Sequence, residues 1–140
     1  MGKDKDDYKI KDSGERTVFK TGANRDLQLN KGRFDLIPMS VLRALAIHYE
    51  KGCIKYGDRN WEKGIPIHTF LNSAMRHLAQ VVDGKNDENH LISAIWNLFC
   101  AYATILWIQE GKLPEELHDM PRKTVLPNPY GKPKPKKKTH

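Results

Sequence analysis

Between about residues 38 and 110, apolar positions recur at helical spacing, and no stretch shows the strict alternation of a half-buried strand. Met39, Leu42, Leu45, Ala46 and Tyr49 follow Pro38 in this way. A first helix is therefore predicted to start at Pro38, whose missing amide hydrogen costs nothing at a first helical position. Gly52 closes that helix in one reading, and a further turn carries it to Tyr56 in another. Phe70, Leu71, Ala74, Leu78, Val81 and Val82 supply the core face of a second helix over about 67–82, ended by Asp83 and Gly84. Asp87 is the predicted cap of a third helix, which runs to about Glu110 before Gly111 and Pro114 break it.

Outside these elements the pattern dissolves. Residues 1–16 carry five basic and five acidic side chains and few large apolar ones, the composition of a solvated arm. In "VFKTGANRDLQLNKGRFDLIP", 18–38, glycines and Asn/Asp residues interrupt short apolar groups, so extended chain or loop is expected. The predicted organisation is a flexible arm over 1–16, an all-α domain over 17–118 and a flexible Pro/Lys-rich tail over 119–140. Three main helices form a compact bundle. So few helices, one of them so apolar, predict that a second copy covers part of their surface.

The third helix also raises the question of a membrane. "LISAIWNLFCAYATILWI", 91–108, is 18 residues long, the lower limit for crossing a bilayer. Asn97 lies near its middle, acids flank both ends and no basic anchors adjoin it, which predicts a helix buried by protein and no membrane contact. Cys53 and Cys100 form no close-spaced motif, and no signal-like N-terminus precedes the domain, so a reducing, cytoplasmic setting is expected.

Charge excludes less than it first suggests. The net charge is +7, but 132–140 holds five lysines and no acids; without those five, +2 remains for the rest of the chain. The tail can contact nucleic acid or another anion weakly and nonspecifically, or serve solubility alone. A nucleic-acid adaptor would rest on that tail, since the third helix is too apolar to lie in a DNA groove.

Polar residues inside apolar helices point to candidate chemistry. His90, Ser93, Asn97 and Thr104 lie along one side of the third helix. They are either satisfied by neighbours or line a seam facing a ligand, because a buried unpaired polar group costs on the order of 1–3 kcal/mol; Thr104 can bond back to its own helix. At the helix head, Asp87 and Glu88 can hold a hard cation or stabilise the helix dipole, and His90 can contact phosphate, activate water or ligate metal. In "SAMRHL", 73–78, Arg76 suits a phosphate and His77 borders the apolar face. Zinc ligation by His77 and His90 is conceivable, although their spacing matches no specific motif. Glu50, near the end of the first helix, is a further candidate ligand.

"KYGDRNWEKGIP", 55–66, concentrates useful side chains between two helices. Lys55 and Arg59 complement phosphate charge, Tyr56 or Trp61 can stack on a base, and Asn60 can read a base edge or a sugar hydroxyl. The competing reading is a turn anchored by Trp61 in the core. Phosphate loops, dinucleotide fingerprints and paired-cysteine metal sites are missing from the sequence, which leaves a small ligand bound by these helices as the expected partner.

Four blocks, "GRFDLIP" at 32–38, "YEKGCIKYGDRNWEKGIP" at 49–66, "SAMRHL" at 73–78 and "DENHLISAIWN" at 87–97, together resemble phage and prophage dATP/dGTP diphosphohydrolase N-terminal domains. The likeness runs over about 32–106 and links the chain to the MazG-like all-α nucleotide pyrophosphohydrolases. It implies hydrolysis of a purine (deoxy)nucleoside triphosphate to monophosphate and pyrophosphate with Mg²⁺ or Mn²⁺, in a homo-oligomer, dimer or tetramer, within a bacterial host cytoplasm. On that resemblance Glu50, Asp87 and Glu88 are the expected metal ligands, and Glu50, Glu88, His77 and His90 the expected catalytic groups. Lys55, Tyr56, Arg59, Asn60, Trp61, Arg76 and Asn97 are the expected substrate contacts. The typical site pairs E-x-x-E with E-x-x-D; here Cys53 stands three residues after Glu50 and Leu91 three after Glu88. A noncatalytic nucleotide-binding or sequestering phage protein is the alternative.

Overall fold

The computed structural model describes residues 14–27 and 29–130, so residues 1–13 of the arm expected over 1–16 and the lysines of 132–140 lie outside the described residues. Those residues fall into two units. The smaller includes a hairpin of β1 (Arg16–Val18) and antiparallel β2 (Asn24–Asp26), with Arg16 opposite Asp26 and Val18 opposite Asn24. Extended chain or loop was the expectation here; three-residue strands are too short to print an alternation on the sequence. Gly22, at φ 88°, supplies the positive φ of the connecting turn, and its amide donates to Phe19 O at 2.9 Å. An Arg16–Asp26 ion pair of 2.6 Å joins the two strands.

The larger unit, Asp35–Asn128, is all-α, as predicted. It contains α1 (Met39–Tyr56), α2 (Ile67–Val82) and α3 (His90–Gln109), with 3-10 turns at Asn60–Lys63 and Glu115–Leu117. Pro38 keeps an extended ψ of 120° and sits at the cap of α1, so the helix begins at Met39. α1 passes through Gly52 and stops at Gly57, whose φ of 89° turns the chain and whose amide donates to Cys53 O at 2.8 Å.

α3 is the axis of this unit. Ten of its residues are buried, and α2 packs along its length with Ile67, Phe70 and Ala74 inward. By length and composition α3 is long and apolar enough to cross a membrane, but half of its most apolar window is enclosed by the protein. The cap of α3 corrects the sequence expectation: Asn89 Oδ1 accepts the Ile92 amide at 3.1 Å, and Asp87 is engaged elsewhere.

Two apolar clusters hold the helices together. In the first, Ile67, Ile105 and Ile108 are covered by Leu113, Leu117, Met120 and Leu126. The described part of the expected tail is therefore bound as far as Leu126, whose amide and carbonyl are both bonded by the Gln109 side chain. Asp119 reaches back to the start of α2, accepting the His68 amide at 3.0 Å and pairing with the His68 ring. The second cluster, Phe70, Cys100 and Ala101, packs with Tyr49, Trp61, Ile65 and Trp96, and so fixes the 57–66 loop against α3.

Candidate functional site

One strip of each helix faces a common groove. From α1 come His48, Lys51, Gly52, Lys55 and Tyr56, spaced i, i+3, i+4, i+7 and i+8 as one helical face requires. α2 contributes Ser73, Arg76 and His77, and α3 contributes Ser93, Trp96 and Asn97. Glu88 joins them from the turn before α3.

The groove has two connected parts. The more apolar is a cavity of about 380 Å³ walled by Tyr49, Trp61, Ile65, Phe70 and Trp96, with Arg59, Asn60 and Thr69 at its margins. The more polar, of about 430 Å³, contains Lys51, Lys55, Arg76, His77 and Glu88. His48, Gly52, Tyr56, Ser73, Trp96 and Asn97 belong to both.

Aromatic packing makes the first cavity rigid. Trp61 stacks on Trp107 with centroids 5.3 Å apart and planes 15° from parallel, while Tyr49 and Trp96 meet edge to face at 5.9 Å. Trp61 thus anchors the loop in the core and walls the cavity at the same time. Trp96 Nε1–H is buried without a protein acceptor among the described residues. Tyr49 OH lies 3.5 Å from Cys100 Sγ; burial raises the Tyr49 phenol and pushes the Cys100 thiol up to about 12, so both stay protonated at neutral pH.

At the polar end, side chains from three local segments converge. His77 Nδ1 and His90 Nδ1 are 3.0 Å apart, and Glu88 Oε1 lies 3.1 Å from His90 Nδ1 and 3.5 Å from His77 Nδ1. These three side chains can hold a metal ion. His90 is buried on the first turn of α3, and its Nε2 is 2.7 Å from Asp87 Oδ1. That hydrogen bond holds the Asp87 carboxyl below the usual carboxylate range. An ionised carboxylate only accepts, so His90 Nε2 carries a proton, and Nδ1 is the ring atom turned toward Glu88 and His77.

His48 was not foreseen among the site residues. Its ring lies 5.5 Å from Trp96, and burial, reinforced by nearby Lys51 and His77, lowers its pKa below 6.5, so the imidazole is neutral at pH 7. The signal for it was available: His48 is seven residues before Lys55 and eight before Tyr56, on the face already assigned to binding.

The structure brings His77, Glu88 and His90 together and puts Asn97 and Arg76 beside them in the groove. Glu50 is not among the groove residues: two positions from His48, it projects from a different side of α1 and is exposed. Asp87 faces the outer nitrogen of His90 instead of the converging atoms. Asn97 Nδ2 donates to Ser93 O, and Thr104 Oγ1 donates to Cys100 O, each at 2.8 Å. Thr104 is fully enclosed, so it belongs to the core, whereas Ser93 and Asn97 edge the groove. Arg59 is paired with Glu62 at 3.1 Å, which competes with a phosphate for its guanidinium.

Comparison of the chain with curated proteins and with solved structures yields no match. A family model described as dATP/dGTP diphosphohydrolase, N-terminal, matches residues 21–112.

Proposed function

The chain belongs to the dATP/dGTP diphosphohydrolase, N-terminal, family, and on that premise we propose that it hydrolyses a purine (deoxy)nucleoside triphosphate to the monophosphate and pyrophosphate. The observation that carries this reading is the connected groove, in which an aromatic cavity opens onto a polar one that contains three cationic side chains and is bordered by a potential metal-binding cluster. Such a groove suits a base at one end and phosphates at the other.

In the proposed reaction, water oxygen bonds to the α-phosphorus as the bridge to the β-phosphate breaks, and pyrophosphate leaves with the bridging oxygen. A divalent cation, Mg²⁺ or Mn²⁺ by the family resemblance, would neutralise phosphate charge and increase the electrophilicity of phosphorus. Among the described residues, the cluster that could hold a divalent cation is His77, Glu88 and His90, with Asp87 orienting His90. Lys51, Lys55 and Arg76 stabilise charge on the departing pyrophosphate. His48, neutral and lining both cavities, is the proposed acceptor for the proton released by water. Tyr56, Trp61 and Trp96 enclose the base, and Asn60 and Asn97 offer hydrogen bonds to base or sugar.

The proposed setting is the cytoplasm of a bacterial host, and the proposed assembly is a homo-oligomer. Leu91, Leu98 and Tyr102 are exposed at helical spacing along α3, which supports self-association through that face.

A second reading, nucleotide binding without turnover, is favoured by the position of Glu50, which leaves Glu88 as the carboxylate among the groove residues. Incubating the protein with a panel of nucleoside triphosphates, with and without divalent cations, and identifying the products separates the two. Monophosphate and pyrophosphate in equal amounts are expected from a purine substrate. Tight binding with no release of pyrophosphate from any triphosphate and any cation would reject the hydrolase and leave the binder.

A further inference from the structure

We infer that the His77–Glu88–His90 site takes a transition-metal dication of the Zn²⁺ class in preference to Mg²⁺. This rests on the proposed function only for the presence of a cation there; the kind of cation follows from the donors. Two imidazole nitrogens and one carboxylate oxygen form the set. Imidazole suits Zn²⁺, Fe²⁺, Co²⁺ and Ni²⁺, whereas Mg²⁺ prefers an oxygen shell of near-ideal octahedral geometry and dehydrates reluctantly.

Distances support one shared cation. Ligand atoms that each lie about 2.1 Å from a single ion are separated by about 3.0–3.4 Å in octahedral or tetrahedral arrangements. The three separations here are 3.0, 3.1 and 3.5 Å.

Asp87 is the second, independent observation. Histidines that bind metals donate their other ring N–H to a carboxylate or carbonyl, which fixes the tautomer and strengthens the ligating nitrogen. The 2.7 Å contact from His90 Nε2 to Asp87 Oδ1 has this form. Three protein donors also leave positions for oxygen ligands, and the cluster borders the polar cavity with Lys51 and Arg76, where phosphate oxygens would supply them.

Full-length protein stripped by a chelator and titrated calorimetrically with Zn²⁺, Co²⁺ and Mg²⁺ tests the inference. Visible Co²⁺ absorption reports nitrogen coordination, and circular dichroism checks each variant's fold. Zn²⁺ is expected to bind at least about 100-fold more tightly than Mg²⁺, as the donor set dictates. Asp87→Asn should weaken Zn²⁺ binding by about 10–100-fold. The folded variants His77→Asn and Glu88→Gln, both altered at solvent-reachable positions, should lose the site. Equal or tighter Mg²⁺ binding overturns the inference, as does Zn²⁺ binding that survives His77→Asn and Glu88→Gln. Zn²⁺ binding as described without cleavage of any triphosphate would defeat the hydrolase and leave this metal preference standing. Mg²⁺ binding with efficient cleavage would do the reverse.

Discussion

His48 and Gly52 show how one helical turn can divide its duties. His48 is neutral because burial disfavours its charged form, so a proton-accepting role would persist below pH 6.5. The acid limb of kcat/KM is expected below that value, and His48→Gln should remove the limb while cutting the rate by about 10²–10⁴-fold; pH–rate profiles of both proteins check this. Gly52 lies in α1 and in both cavities, and a Cβ there would meet nothing within 4 Å. Gly52→Ala should therefore stabilise α1 by about 0.5–1 kcal/mol, measured by urea unfolding. Gly52→Leu should fill the groove and lower nucleotide affinity without unfolding the protein, which titration with a nonhydrolysable triphosphate would reveal. Glu50 and His48 also show what the sequence left open. Both residue types suit the chemistry, but only the side of the helix facing α2 and α3 decides which enters the groove.

At the scale of elements, α2 and α3 were legible because Pro66, Gly84 and Gly111 punctuate them, while α1 was ambiguous at Gly52. Cys53, Ile54, Lys55 and Tyr56 continue the helix, and Gly57 supplies the positive φ that ends it. The cap of α3 was misplaced by two residues for a chemical reason: Asp87 and Asn89 are equally good caps by type, and the His90 ring claims Asp87. The cap of α2 could not be read locally, since it comes from Asp119, 51 residues beyond His68. The His68 amide, followed by the ring contact, holds the Asp119 carboxyl below its ordinary range. A lowered folded pKa gives stability that is present above the unfolded value and lost as pH falls through the folded one. Asp119→Asn should therefore lower Tm at neutral pH, and the gap from the parent should close below about pH 4; melting curves across pH 2–8 test the sign.

For the whole molecule, the exposed apolar residues are more telling than the net charge. Leu91, Leu98 and Phe99 are each more than half exposed, and Tyr102 is 47% exposed, on a helix whose other side forms the core. Leu98→Glu is expected to shift the protein from oligomer to monomer in light scattering at micromolar concentration, with its far-ultraviolet circular dichroism kept. A monomeric parent would refute that assembly. The all-α class and the three helices were readable from periodicity, whereas the closing segment was not, because its Pro and charged residues disguise Met120 and Leu126 as tail. The family match stops at residue 112, before any of them. This has a consequence for synthesis on the ribosome: α2 emerges early but receives its cap and part of its apolar cover only after Asp119 and Leu126 have left the exit tunnel. Until then the domain has no finished state to fall into, and a chain cut near residue 112 leaves Ile67, Ile105 and Ile108 without that cover.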